Sequence, residues 1–173
     1  MDEVSRRRFY YIDPALDGYY REAHEALSDR ALERFVSASR DVEEASKCLA
    51  LGRYTASVFH LMRITEKGMD ALAETLGIFG EYQTWDPKIR KMVKVLVDEL
   101  RKGYDNMSPA IKGRLDFFKQ ATERLTAVQH ALRNETMHSR SHYGREDAID
   151  IYRATLRFIE TLAEKLEEPK GVE

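Results

Sequence analysis

The chain has 173 residues, of which 43% are hydrophobic and 34% charged, and this length suits one domain with a real core. Nine glycines and four prolines are few enough to favour helix over sheet, and the composition argues against disorder along the whole chain. The formal net charge of -2 excludes a generally basic protein, so any contact with nucleic acid requires a local positive patch.

Two further features bear on where the protein works. The one cysteine, Cys48, has no second cysteine for a disulfide or at metal-ligand spacing, which favours a reducing compartment. The first residues lack the apolar core of a signal peptide, and no run of about 18 apolar residues occurs. We therefore expect a cytoplasmic protein without a membrane segment.

Residues 1–27 show no regular period, and we expect an irregular N-terminal arm there. Three arginines, Arg6, Arg7 and Arg8, are followed by three aromatic residues at positions 9–11. Such a cluster can bind nucleic acid or a partner, or it can pack its rings over the rest of the protein. The pattern leaves the role of this arm open.

A helical period begins after residue 27 and predicts an all-α, antiparallel up-and-down bundle of about five helices over residues 28–168. The first helix is expected over 29–51, because Gly52 is a suitable C-terminal residue. The second carries an apolar stripe that begins at Tyr54, and Gly77 ends it. Residues 169–173 are expected to form a frayed tail. No segment alternates with a period of two, so we expect no sheet.

The next two helices are each predicted to start at a polar residue followed by proline. Asp86 and Pro87 supply an N-cap and a first-turn proline for the third helix, which ends at Gly103. Ser108 and Pro109 repeat this device. The fourth helix has the clearest apolar stripe in the chain, formed by Ile111, Leu115, Phe118, Leu125, Val128 and Leu132. A last helix is expected after Gly144.

Three residues late in the fourth helix, Arg133, Asn134 and His138, are the candidate catalytic residues. Histidine suits general acid and base catalysis near neutral pH, and arginine suits bidentate binding of phosphate. At about 100° per residue, Asn134 and His138 share a helix face, but Arg133 and His138 point about 140° apart. They can converge if the helix loosens near Thr136, if the arginine curls round, or if a second subunit completes the site. The alternative is an exposed helix end, where the positive charges of arginine and histidine interact favourably with the negative C-terminal end of the helix dipole.

Residues after this stretch extend its positive character. Arg140, His142 and Arg145 add positive or titratable groups, and Tyr143 adds a ring on which a base can stack, so these four are candidate RNA-binding residues. The alternative is an ordinary polar turn between helices, in which nearby acidic residues reduce the positive charge.

No recognised metal-ligand signature, glycine-rich phosphate loop or nucleophile elbow occurs, so we expect no metal and no cofactor. His60, between two apolar residues of the second helix, is expected to be a satisfied interior or groove histidine.

Two passages resemble the HEPN family, the "higher eukaryotes and prokaryotes nucleotide-binding" family of small helical proteins. The second helix, over residues 52–72, is similar to the family's tyrosine- and alanine-containing helix that leads into an apolar face. Arg133, Asn134 and His138 match the family pattern of arginine, a polar residue, and histidine after a gap of four to six residues. The resemblance covers roughly residues 30 to 165.

The resemblance implies a ribonuclease that needs no metal and that usually acts as a homodimer with two copies of the motif in one cleft. It implies that His138 activates the ribose 2'-hydroxyl or protonates the leaving oxygen, that Arg133 stabilises the phosphate charge, and that Asn134 orients one of them. The expected products are a 2',3'-cyclic phosphate and a 5'-hydroxyl.

Many members of this family are toxins of toxin-antitoxin or phage-defence systems, and some lie beside a nucleotidyltransferase-type antitoxin. One toxin group has a tyrosine two residues after the histidine, where this chain has Arg140. The other interpretation is a non-catalytic helical module that binds a nucleotide, an RNA or a partner protein. The RNA target, its sequence preference and the identity of any antitoxin do not follow from the sequence.

Overall fold

The computed structural model describes residues 11–80, 84–136 and 142–169, and of residues 133–136 it describes the helical backbone. These described residues contain seven α-helices, four 3-10 turns and no strand, so the predicted all-α bundle is confirmed. The helices are α1 (Asp17–Arg21), α2 (Asp29–Arg34), α3 (Ser39–Ala50), α4 (Tyr54–Thr75), α5 (Trp85–Arg101), α6 (Leu115–Thr136) and α7 (Arg145–Ala163). None of them is long and apolar enough to cross a membrane.

Helix α4 occupies the centre of the bundle, where it packs against α3, α6 and α7. It runs antiparallel to α3, since the Ser57 hydroxyl near its start donates to the carbonyl of Ala45 near the end of α3. It runs in the same direction as α7, since Thr65 lies beside Thr155 and Gly68 lies beside Ile159. Helix α5 packs on α6 at the side of this central group.

The core is formed by the apolar stripes of these helices. Its largest fully buried side chains are Phe35, Leu49, Leu61, Ile64, Leu72, Met92, Phe118, Leu125, Ile151, Phe158, Ile159 and Leu162. The stripe predicted on the fourth helix is buried at Phe118, Leu125, Val128 and Leu132, so α6 presents the expected face to the core.

The predicted single helix over 29–51 is wrong, because a 3-10 turn at Val36–Ala38 separates α2 from α3. Phe35 leaves the helical region with φ -124 and ψ 57, and its ring is fully buried. The C-terminal segment supplies hydrogen bonds at this break. The carboxylate of Glu168 accepts from the Ser37 amide at 3.2 Å and from its hydroxyl at 2.6 Å, and the Glu168 amide donates to the Arg34 carbonyl.

Two predicted helix starts are also corrected. Helix α6 begins at Leu115 instead of directly after Ser108 and Pro109, because turns intervene and Gly113 adopts φ +77, a conformation that favours glycine. Helix α5 begins at Trp85 with Thr84 at its N-cap, so Asp86 lies in the first turn. By contrast, α4 lies between Gly52 and Gly77, the two glycines that predicted its bounds, and α7 begins directly after Gly144, as predicted.

The described part of the N-terminal segment is more regular than expected. It contains α1 and two 3-10 turns, Pro14–Leu16 and Ala23–Glu25, and it buries Leu16 and Leu27. Residues 1–10, including Arg6, Arg7 and Arg8, lie outside the described residues.

The contact of α4 with α7 depends on Gly68. A methyl group at this position would lie 2.8 Å from the Phe158 ring and 2.9 Å from the side chains of Ile159 and Leu162. We expect Gly68→Val to lower the free energy of unfolding by about 2–3 kcal/mol, because it overpacks the core. Urea denaturation measures the change.

The matched control for Gly68→Val is Ala56→Val, which makes a similar substitution at an exposed position of the same helix. It should cost only about 0.5 kcal/mol, the difference in helix propensity. Equal unfolding midpoints for the two variants would contradict the packing of α4 on α7.

Candidate functional site

The predicted catalytic stretch begins in the last turn of α6. Arg133 and Asn134 belong to its helical backbone, and the preceding Leu132 is buried and holds this end of the helix against the core. The side chains of Arg133 and Asn134, and the whole of His138 and Arg140, lie outside the described residues. Their mutual geometry therefore stays a prediction.

The other three predicted RNA-binding residues lie at the start of α7. His142 is exposed. Tyr143 is half-buried against the core, and its amide donates to the Thr55 hydroxyl at 3.3 Å. This bond joins the segment before α7 to the first turn of α4, so the end of α6 and the starts of α4 and α7 meet in one region of the bundle.

Arg145 is engaged in an ion pair. Its Nη1 lies 2.8 Å from Oδ2 of Asp13, and both side chains are partly exposed. The pKa of Asp13 is lowered from its usual 3.8, first by a hydrogen bond from the Ala15 amide and then by the hydrogen bond from Arg145. The positive charge of Arg145 is thus shared with a carboxylate that holds the N-terminal segment onto α7.

A second cluster of charged side chains lies between α3 and α4. Asp41 of α3 is 6% exposed. His60, Arg63 and Lys67 of α4 all point to it, because spacings of three and four residues place them on one helix face. Oδ1 of Asp41 lies 2.9 Å from His60 Nδ1, and Oδ2 lies 3.1 Å from Arg63 Nε and 3.4 Å from Lys67 Nζ.

This arrangement keeps a buried carboxylate charged. Burial by itself raises the pKa of Asp41, but hydrogen bonds from His60 and Arg63 and the charges of Arg63 and Lys67 outweigh burial and bring that pKa below 3.8. Lys67 also donates to the carbonyl of Ser37, so the cluster ties α4 both to α3 and to the 3-10 turn before it. A buried charge is stable only when it is paired in this way.

The cluster borders an open groove of about 480 Å³, lined by Ser37, Arg40, Asp41, Glu44, His60, Arg63 and Lys67. Asp41 binds Arg63 through Nε and His60 through Nδ1. The Nη groups of Arg63 and Nε2 of His60 make no hydrogen bond within the described part of the chain. We call this the Asp41 groove, and its geometry suits an anionic ligand.

The prediction that His60 is a satisfied groove histidine is confirmed, but the groove itself was missed. A signal for it was present in the sequence. Asp41 stands beside Val42 on the apolar face of α3, three residues after Ala38 and four before Ala45, where a carboxylate needs partners. Sequence alone does not show which residues pair with it, because His60 lies 19 residues away.

No group of three or more histidine, cysteine, aspartate or glutamate residues suitable for a metal ion occurs within residues 11–80, 84–136 and 142–169. A scan of protein-family models found no match to the chain, and comparisons with curated proteins and with solved structures also found none. The function is therefore proposed from the residues, the described parts of the fold and the resemblance given above.

Asp41→Asn should lower the free energy of unfolding by about 1–3 kcal/mol at neutral pH, because three donors lose a charged acceptor. Its matched control is Asp98→Asn, which removes an exposed ion pair with Arg101 and should change stability by at most about 0.5 kcal/mol. Urea denaturation of both variants measures the two effects.

The same comparison has a predicted pH dependence. The folded pKa of Asp41 is lowered, so its stabilisation is present above 3.8 and is lost as the pH falls through that folded pKa. The difference between the wild type and Asp41→Asn should therefore shrink in acid. A difference that stays constant to the lowest pH at which the protein folds would contradict the charged state of Asp41.

Proposed function

We propose that the protein is a metal-independent ribonuclease of the HEPN type with Arg133, Asn134 and His138 in its active site. The observation that supports this most is the position of the motif in the fold. Arg133 and Asn134 lie in the last turn of α6, next to the start of α7, in an all-α bundle. This end of the bundle also carries the exposed His142, and the half-buried Tyr143 packs against the core beside it.

The proposed reaction is an intramolecular transesterification at one phosphate of the RNA. The ribose 2'-oxygen attacks the phosphorus, the bond to the 5'-oxygen breaks, and the products are a 2',3'-cyclic phosphate and a 5'-hydroxyl. His138 removes the proton from the 2'-hydroxyl or supplies one to the leaving oxygen. Arg133 stabilises the charge that develops on the phosphate, and Asn134 orients one of these two groups.

We further propose that the active site forms in a homodimer. The backbone of α6 is helical through Thr136, so residues 133–136 follow one another at about 100° per residue. In a straight helix the side chains of Arg133 and His138 point about 140° apart. Only the two residues after Thr136 could change that angle within one subunit. A second subunit supplies the missing group without unwinding the helix.

The biological role proposed from the resemblance is that of a cytoplasmic toxin or phage-defence component, with a nucleotidyltransferase-type antitoxin as its partner. The alternative is a non-catalytic module that binds a nucleotide, an RNA or a partner protein. The ion pair of Arg145 with Asp13 favours the module that binds a partner protein, because it engages one of the cations proposed for RNA.

Purified protein should cleave labelled RNA in the presence of EDTA, and both His138→Ala and Arg133→Ala should lower the rate by at least about 100-fold. His24→Ala is the control, since His24 is an exposed histidine in the 3-10 turn Ala23–Glu25, outside α6, and should leave the rate unchanged. Cleavage that stops in EDTA, or that survives both active-site substitutions, would contradict metal-independent cleavage by Arg133 and His138. Binding without cleavage would favour the alternative module.

Mixing the two inactive variants tests the composite site. If Arg133 of one subunit works with His138 of the other, each mixed dimer regains one complete site. Activity should then recover to about a quarter of the wild-type value after subunit exchange in a two-fold symmetric dimer. No recovery, although mixed dimers form, would show that each site draws both residues from one subunit.

A further inference from the structure

The exposed face of α4 connects the two regions described above. Thr55, Phe59 and Arg63 recur every fourth residue and therefore lie on one helix face, over a length of about 12 Å. Thr55 is bonded to Tyr143 at one end of this row, and Arg63 borders the Asp41 groove at the other. Between them, the ring of Phe59 is 66% exposed. We call Thr55, Phe59 and Arg63 the α4 strip.

Asp41 holds the cations of the groove in place while it leaves donors for a ligand. It accepts from Nε of Arg63, so the two terminal Nη groups remain for another acceptor. It also accepts from Nδ1 of His60, which holds the imidazole ring beside the groove. Arg40, one residue before Asp41 on α3, is exposed at the same groove and forms no ion pair within the described residues. Donors that are already fixed bind a ligand with little loss of side-chain freedom.

The charge balance of the groove favours an anion. Its lining has the cations Arg40, Arg63 and Lys67 against the carboxylates Asp41 and Glu44. The charge of Asp41 is already shared among three donors. The groove is thus a local positive site on a protein whose net charge is -2, which is the kind of site that contact with nucleic acid requires here.

We propose that the α4 strip and the Asp41 groove bind single-stranded RNA, with one phosphate in the groove and the adjacent base on Phe59. The phosphate oxygens accept hydrogen bonds from Arg63 Nη and Arg40. This inference rests on the proposed function, because it assigns the binding surface for the same RNA. The strand then runs along α4 towards Tyr143 and the end of α6, where the proposed active site lies.

Single-stranded RNA fits this surface better than a duplex. Stacking on an exposed ring requires a base that is free of its partner, and such rings beside cations are how proteins hold single strands. A purely structural clamp between α3 and α4 accounts for Asp41, but it leaves unexplained why an exposed phenylalanine stands one turn before Arg63.

The test is the binding of a fluorescent, 2'-O-methylated single-stranded RNA, which cannot undergo the proposed cleavage, measured by anisotropy at low salt. Arg63→Gln and Phe59→Ala should each weaken binding about tenfold. Arg63→Gln should also reduce the slope of log affinity against log salt by about 0.7, the loss of one phosphate contact on a single strand. The Phe59 side chain is mostly exposed, so Phe59→Ala should keep a melting temperature close to the wild-type value. Arg63→Gln removes one donor to Asp41 and should lower the melting temperature, so its affinity is measured well below that temperature, where the variant is folded.

The matched control is Arg153→Gln, which makes the same charge change at an exposed position of α7 away from the groove. Equal affinities for Arg63→Gln, Phe59→Ala and Arg153→Gln would overturn the proposal. So would equal affinity of the wild type for the single strand and for the same RNA in a duplex.

A parallel assay with cleavable RNA separates this proposal from the ribonuclease. Binding that depends on Arg63 and Phe59, without any cleavage, supports the surface and overturns the ribonuclease. Cleavage with unchanged binding and rate in Arg63→Gln and Phe59→Ala supports the ribonuclease and overturns the surface. The absence of RNA binding by the wild type overturns both.

Discussion

The buried carboxylate of Asp41 is the interaction on which the arrangement of α3, α4 and the groove depends. A charge that is 6% exposed cannot remain without partners, so α4 must present His60, Arg63 and Lys67 to α3 in one register. Lys67 extends the same constraint to the 3-10 turn through Ser37. This pairing positions His60, Arg63 and Lys67 at the groove.

Helix α4 joins the core to the proposed binding surface. On one face, Gly68 lets α7 approach closely, and Leu61, Ile64 and Leu72 are fully buried. On the opposite face, the α4 strip lies exposed. Because both faces belong to one helix held by α3, α6 and α7, packing against the core positions the backbone that carries the strip. A rigid element is a precise support for binding groups.

The sequence predicted those helices whose positions depend on residues close together in the chain. The apolar stripes and the glycines at positions 52, 77 and 144 were sufficient for α4 and α7. The break between α2 and α3 was not predictable from periodicity, because Glu168, about 130 residues away, supplies its hydrogen bonds. The same limit holds for the polar sites. Asp13 pairs with Arg145 at a separation of 132 residues, and the partners of Asp41 lie on another helix.

Titration of the labelled protein with a 2'-O-methylated single-stranded RNA, followed by nuclear magnetic resonance, tests the central claim most directly. The account predicts that the signals of Phe59, His60 and Arg63 shift together with those of His142 and Tyr143, because one strand runs along α4 to the end of α6. Shifts confined to other faces, such as the exposed side of α5 around Val97, or no shifts at all, would contradict it.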